Sequence, residues 1–287
     1  MNVIKYLLDL NIKYIVFDQK LKKSLIIQNA YNLGIECISV LDARSATYYA
    51  TGIAAQSKEK VVVFISAANS RSAFSGMTEA FYRKLPVILI TLGKAFNYST
   101  ELKDVVKKHY VFTLNEKMDN VYIDDGPIHI ELIEPEKTDS YEEKYTSFLV
   151  KLENIVQKKQ YLYISRNINV KNLNVPGKIV YGGIENCDAG AISNVLGASL
   201  AKSRTRYIGV LSEEEYLHDM NALGNININD LLLYFIISKK DNNIICDYSK
   251  SMGFEVFRKS LNELDEQEML SAIRNGKRTV FFVYEEG

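Results

Sequence analysis

The chain has few cysteines and no excess of either charge. Its three cysteines, Cys37, Cys187 and Cys246, stand far apart among 287 residues. An odd count without a CxxC pair argues against a disulfide framework and a structural zinc site, and fits a reducing, cytoplasmic setting. Lysine plus arginine equals aspartate plus glutamate at 35 each. A net charge of zero leaves no basic footprint for nucleic acid and no polyanionic tail. No apolar run reaches the ~18 residues a membrane-spanning helix needs. The N-terminal stretch MNVIKYLLDLNIKY sets Lys5 and Asp9 inside an apolar pattern, so it reads as an amphipathic helix rather than a signal peptide. Short-period repeats and low-complexity segments are missing as well.

What is there is a core-forming composition. Hydrophobic residues make up 47% of the chain, too many for disorder and enough for one large or two ordinary domains. In the first half, short apolar runs and helical patterns exchange at short intervals. KYIVF (13–17), CISVL (37–41), KVVVFIS (60–66), PVILIT (86–91), YVFTL (110–114) and PIHIELI (127–133) read as strands. Residues 22–34, 43–56 and 70–84 read as helices, the first ending at Gly34 as a C-cap. The β-branched run 60–66 suits a central strand buried on both faces. Such alternation predicts βαβ units around a parallel sheet.

Residues 136–160 are highly charged, and the helical stretch within them carries Phe148, Leu149, Leu152 and Ile155. The expectation is a surface linker helix, with 136–175 as connector between a first domain, 1–135, and a second, 176–287. After Pro176 the alternation resumes with strands at KIVYGG, 206–211, 230–238, EVF and 278–284. Helices are expected at 189–203, 212–224 and 262–275, with another ending at Gly253.

Open parallel sheets bind ligands beyond the C-terminal ends of their strands. Four such ends carry polar clusters: LDARSA, ISAANSRSAFSG, GGIENCDAGAIS and GVLSEEEYLHDMNALG. Taken in order, LDARSATYYATGIA, VVVFISAANSRSAFSGMTEAFYRKLPVILIT and GPIHIEL resemble the pyrimidine-binding domain of thiamine diphosphate (ThDP) enzymes. That domain shows D-E-R-S-A-x-x-x-A-x-G-x-A, a T-S-G-T-like turn and G-P-V-H. The later segments GIENCDAGAISNVLGASLA and GVLSEEEYLHDMNALG resemble the diphosphate-binding domain of the same enzymes. Among subfamilies the likeness is to the MenD-like type, the 2-succinyl-5-enolpyruvyl-6-hydroxy-3-cyclohexene-carboxylate synthases. It covers nearly the whole chain except the linker. It implies an α/β fold of two three-layer α/β/α domains with mostly parallel sheets. It also implies at least a homodimer, because the family holds its cofactor between domains of different subunits.

The departures from that pattern are informative. Ala43 stands where the family has the glutamate that relays a proton to the cofactor, and a methyl group relays nothing. Val210 stands at the metal-binding aspartate, and Lys239 best matches the asparagine that completes the site. Magnesium requires hard oxygen ligands, and an ammonium repels it. Glu213, Glu214 and Glu215 open the helix where a diphosphate would lie, with Ser212 and Glu215 forming a capping box. The wedge residue of the cofactor pocket is replaced by Cys187 beside Asp188. Against the family's pattern the middle domain and the P-G-S-R-S segment after the first strand are missing, the latter being FDQKLKKS here, and the loop that covers the substrate is nearly absent.

Asp42, Arg44, Ser45, Asn69, Asn186, Asp188, Ser212 and Lys239 are therefore the candidate ligand contacts, with no metal ligand and no catalytic residue assigned. Each has a plainer reading beside the functional one. Asp42, Arg44 and Ser45 cap a helix and pair locally. Asn186 and Asp188 form a turn. Lys239 is a solvated lysine, or a fixed cation standing in for the metal. The three glutamates form a capped, exposed helix start. His218 and Asp219 pack, and His129 is a sheet residue. The resemblance with its losses points to a degenerate member, a pseudoenzyme without ordinary ThDP/magnesium catalysis. It would be kept as a partner protein or as a binder of another ligand, such as a phosphorylated small molecule. The alternative is a ThDP-dependent decarboxylase or carboligase acting on a 2-oxo acid through a non-standard site; cofactor-free chemistry in the same cleft is a third option.

Overall fold

A computed structural model describes residues 2–93, 102–114, 116, 118, 121, 126–134, 145–165, 168, 173–182, 190–201, 206–224 and 230–285. The chain divides into two compact units, Met1–Asp139 and Ser140–Gly287. The first runs α1 (Asn2–Asp9), β1 (Tyr14–Asp18), α2 (Leu25–Asn32), β2 (Glu36–Val40), α3 (Ala43–Ser57), β3 (Val61–Ser66), α4 (Phe74–Tyr82), β4 (Val87–Gly93), β5 (Lys108–Thr113) and β6 (Ile128–Ile133). Short 3₁₀ turns, Gln19–Lys23 and Ala67–Ala73, follow β1 and β3. The second unit runs α5 (Thr146–Ile155), β7 (Tyr161–Ile164), β8 (Lys178–Tyr181), α6 (Ala191–Ala201), β9 (Tyr207–Ser212), α7 (Glu213–Asp219), β10 (Leu232–Ser238), α8 (Asn243–Ser251), β11 (Glu255–Ser260), α9 (Glu266–Arg274) and β12 (Thr279–Tyr284).

Each unit is built on a six-stranded sheet, ordered β2-β1-β3-β4-β6-β5 in the first and β11-β12-β10-β9-β7-β8 in the second. All the strand pairings are parallel. Counted within its own unit, each sheet has the same strand order, 2-1-3-4-6-5. Both units therefore reverse direction between their first and third strands, where a parallel sheet opens a crevice at its C-terminal edge.

The sequence dictates which strands are central. VVVFIS in β3, VILITLG in β4 and LLYFIIS in β10 are apolar on both faces and almost wholly buried. The edge strands ECISV (β2), KHYVFT (β5) and KIVY (β8) carry polar residues and are partly exposed. Side chains alternate between two cores in each unit. In the first, Ile15, Phe17, Val62, Phe64, Ile88 and Ile90 pack with α1 and α2, while Val16, Val61, Val63, Val87 and Leu89 pack with α3 and α4. In α3 the buried face is small, made of Ala43, Ala46, Thr47, Ala50, Thr51 and Ala54. That smallness lets α4 approach closely: a Cβ at Gly76 would sit 2.2 Å from Thr47 Oγ1.

In the second unit, β7 to β10 and β12 send Leu162, Ile164, Ile208, Val210, Phe235 and Phe281 toward α5 and α9. The opposite face meets α6, α7 and α8. The stretch expected to be a connector, 136–175, thus contains a covering helix and a strand of the second sheet. Phe148, Leu152 and Ile155 of α5 are buried in its core, and β7 is buried between β9 and β8. The apolar i, i+4, i+7 stripe of α5 outweighs its charged outer face. The second compact unit accordingly begins at Ser140, where 176 was expected. Among the described residues, no helix is long and apolar enough to cross a membrane.

One polar feature interrupts the first sheet. His129 on β6 is fully buried, and its Nε2 lies 2.9 Å from Thr91 Oγ1. Its ring centroid lies 4.8 Å from that of His109 on β5, the planes tilted by 34°, and the two residues are directly opposite in the register. His109 Nε2 is 3.4 Å from a Glu131 carboxylate oxygen. Burial, and then the neighbouring His109, push the His129 pKa down to about 3. Burial also lowers that of His109, against the pull of Glu131. A histidine held neutral when folded binds a proton only when the chain unfolds. Its contribution is complete above the unfolded value of about 6.5 and is lost as pH falls toward 3. The expected outcome is that urea-denaturation stability drops between pH 7.5 and 5.5, with His129 adding at most about 1.4 kcal/mol per pH unit. His129→Gln should flatten that slope, and an unchanged slope would remove His129 from the acid response.

Candidate functional site

The C-terminal edges of the two sheets are where the sequence places its candidates. In the first unit, β1 ends at Asp18, which is fully buried at the crevice between the first and third strands. Its Oδ1 accepts the Lys20 backbone N–H at 3.0 Å. Its Oδ2 accepts the side-chain amide of Asn69 at 2.9 Å, from the turn that follows β3. The crevice is therefore bridged by a buried carboxylate–amide bond. Asn69 was expected to face a ligand, and here it donates to Asp18. After β2, Asp42 caps α3: Oδ1 accepts the Ser45 N–H at 2.7 Å, and Oδ2 the Ser45 hydroxyl at 3.1 Å. Asp42 and Ser45 thus satisfy each other. Ala43 is 1% exposed in the core beneath, and Arg44 is exposed.

In the second unit the same crevice lies between β7 and β9. Ser165, just past β7, donates its hydroxyl to Glu215 Oε1. Glu215 Oε2 accepts the Ser212 N–H at 2.9 Å and the Ser212 hydroxyl at 3.0 Å. Ser212 Oγ in turn accepts the Glu215 N–H at 3.2 Å, which completes the capping box. Glu213 turns to the next strand, accepting from the Ser238 hydroxyl and, at 2.5 Å, from the Asn242 amide. The expected exposed helix start is thus corrected for two of its three glutamates. Glu215 is buried and Glu213 half-buried, and only Glu214 is exposed. Each buried oxygen finds a serine or asparagine at a strand end, and these partners offset the cost of burying it.

Val210, at the position matched to the family's metal-binding aspartate, points into the core with Ile164 and Ile208. Lys239 lies exposed in the turn after β10. Asn186 and Asp188, with Cys187, lie outside the described residues. Asp219 accepts the N–H and hydroxyl of Ser193 at 2.6 and 2.8 Å, tying α7 to the first turn of α6. Among the described residues, no three His, Cys, Asp or Glu side chains are grouped to hold a metal ion. Sequence reasoning passed over Asp18, Ser165, Ser238 and Asn242. The available signal was a polar residue closing an apolar run, as in YIVFD, YLYIS and YFIIS.

The cluster has a measurable consequence. Glu215→Ala removes the carboxylate that accepts from Ser165 and breaks the capping box, a loss of about 2–3 kcal/mol. Glu214→Gln, on the exposed face, should stay within about 0.5 kcal/mol of the parent. Urea titration of the two variants separates them, and equal losses would contradict the assigned geometry.

Comparison with known proteins bears on the first unit. Residues 2–116 match the family described as thiamine pyrophosphate enzyme, N-terminal TPP binding domain. A 2-succinyl-5-enolpyruvyl-6-hydroxy-3-cyclohexene-1-carboxylate synthase from Flavobacterium johnsoniae is 26% identical over 123 residues. That match spans 35% of this chain and 22% of the relative's own length. Residues 2–116, which hold five of the six strands of the first sheet, are thus similar to the N-terminal TPP binding domain of thiamine pyrophosphate enzymes, and a stretch of the chain is similar to a MenD-type synthase.

Proposed function

We propose that this chain is a degenerate member of the ThDP-dependent enzyme superfamily, without ordinary ThDP/magnesium catalysis, retained as a ligand-binding or partner protein. On this reading the first unit is the pyrimidine-binding-like domain and the second the diphosphate-binding-like one, in a cytoplasmic homodimer or higher oligomer.

The observation that carries the reading is the pair of carboxylates at the C-terminal edge of the second sheet. A diphosphate needs hydrogen-bond donors, and the donors at the ends of β7, β9 and β10 are engaged with Glu215 and Glu213. A second anion there would meet two carboxylates at close range, which is strongly unfavourable in a partly buried place. The site residues do not fit the metal either. Magnesium takes oxygen ligands, and Val210 offers methyl groups that already face the core. Ala43, at the position of the proton-relaying acid, is buried and has no titrating group. The nearest acid in sequence, Asp42, is held by Ser45. Arg44 and Lys239 keep exposed cationic ends and are the candidate contacts best placed to meet a ligand; Asp42, Ser45, Asn69 and Ser212 serve mainly the fold.

Calorimetric titration with ThDP, with and without magnesium, tests this reading. The expected result is no magnesium-dependent binding up to millimolar cofactor. Tight binding that requires magnesium would overturn it, and would mean that Glu213 and Glu215 give way to the diphosphate.

A further inference from the structure

We infer that β5 is an acid-released edge strand: protonation of the histidine pair where β5 meets β6 detaches the outermost strand of the first sheet while the central strands stay paired. The inference is independent of the ThDP reading and concerns the end of the sheet away from β1 and β2. Within the sheet β5 pairs with β6 alone, over Lys108–Thr113 against Ile128–Ile133. Releasing it breaks one ladder, where releasing β3 or β4 breaks two. Local opening therefore costs least here.

The two rings that face each other across this ladder are poorly placed to hold a second proton. An imidazolium donates from both nitrogens. His129 Nε2 is engaged with Thr91 Oγ1, but its Nδ1 has no hydrogen-bond partner, so a charged His129 would leave a buried N–H unsatisfied. His109 Nε2 lies 3.4 Å from a Glu131 oxygen without making a hydrogen bond. A proton on His109 gains that carboxylate, but its charge is set against Lys103, on the 3₁₀ turn 102–105, and against any proton on His129. Among the described residues these three, Glu131, Lys103 and His129, are the charged and titratable groups that act on His109. Burial outweighs the pull of Glu131 and holds the His109 pKa below its ordinary value. What frees the two rings differs. His129 sits between β4 and β5, whereas His109 sits on the outermost strand with its side chain 13% exposed, so moving β5 alone gives it water. A group neutral when folded stabilises the closed strand above about pH 6.5, and that contribution is lost as pH falls below it.

Hydrogen exchange of the full chain, read by mass spectrometry at pH 7.5 and 5.5 and corrected for the intrinsic pH dependence of exchange, tests this. Residues 108–113 should be less protected than 61–66 of β3 and 87–93 of β4 at both values. They should lose protection at pH 5.5, by up to about tenfold for one histidine that is neutral when folded and ordinary when released. Low urea should scarcely change their exchange, because releasing one strand exposes little surface, while it should speed exchange in β3 and β4. His109→Gln should abolish the acid loss at 108–113. Glu131→Gln, which removes the attraction that opposes release, should enlarge it toward the tenfold limit. Protection of 108–113 that rises at pH 5.5 would show a charged His109 gripping Glu131 and would overturn the inference. So would an acid loss that follows β3 and β4 in urea, which marks global unfolding, or one that persists in His109→Gln.

Discussion

Glu215 joins the ends of β7 and β9, with one carboxylate oxygen on Ser165, 50 positions earlier, and the other on Ser212. A parallel sheet that reverses direction between its first and third strands leaves a crevice there, lined with backbone and hydroxyl donors. Those donors must be satisfied by ligand, water or protein. In this chain they are satisfied by protein. The first unit reaches the same solution with other residues, Asp18 accepting from Asn69 across the corresponding gap. Two sheets of identical strand order thus each close their crevice with a buried carboxylate.

The rest of the second unit's edge follows from that choice. With Glu215 turned inward, Glu213 reaches Ser238 and Asn242, so the end of β10 and the start of α8 are held by the same helix turn. Val210 can then be a core residue, packed against Ile208 and Ile164. Asp219, one helical turn beyond Glu215, anchors α6 through Ser193. Framework segments that resemble those of catalytic relatives therefore persist with a structural rationale of their own.

Much of the fold is legible in the sequence because its signals are local. The alanine spacing of α3, the β-branched run of β3 and the Ser212–Glu215 capping box each lie within a few residues. What escaped reading depends on partners far away. Strand β7 is only four residues, YLYI, buried on both faces and set in a charged stretch, so it offers no alternation to detect. Missing it moved the domain boundary and hid Ser165, and without Ser165 the glutamates read as a solvated helix start. Asn69 was legible as a polar residue at a strand end, but its partner Asp18 lies 51 positions earlier. Local capping could be inferred for Asp42 and Ser45, because three residues separate them.

On the proposed reading, Glu213 and Glu215 fill the place a diphosphate would take. A crystal structure from crystals grown with millimolar ThDP and magnesium addresses it most directly. The expected result is Glu215 on Ser165 and Ser212, Glu213 on Ser238 and Asn242, and no diphosphate at the ends of β7, β9 and β10. A diphosphate at those strand ends, with Glu215 turned out to solvent, would contradict it.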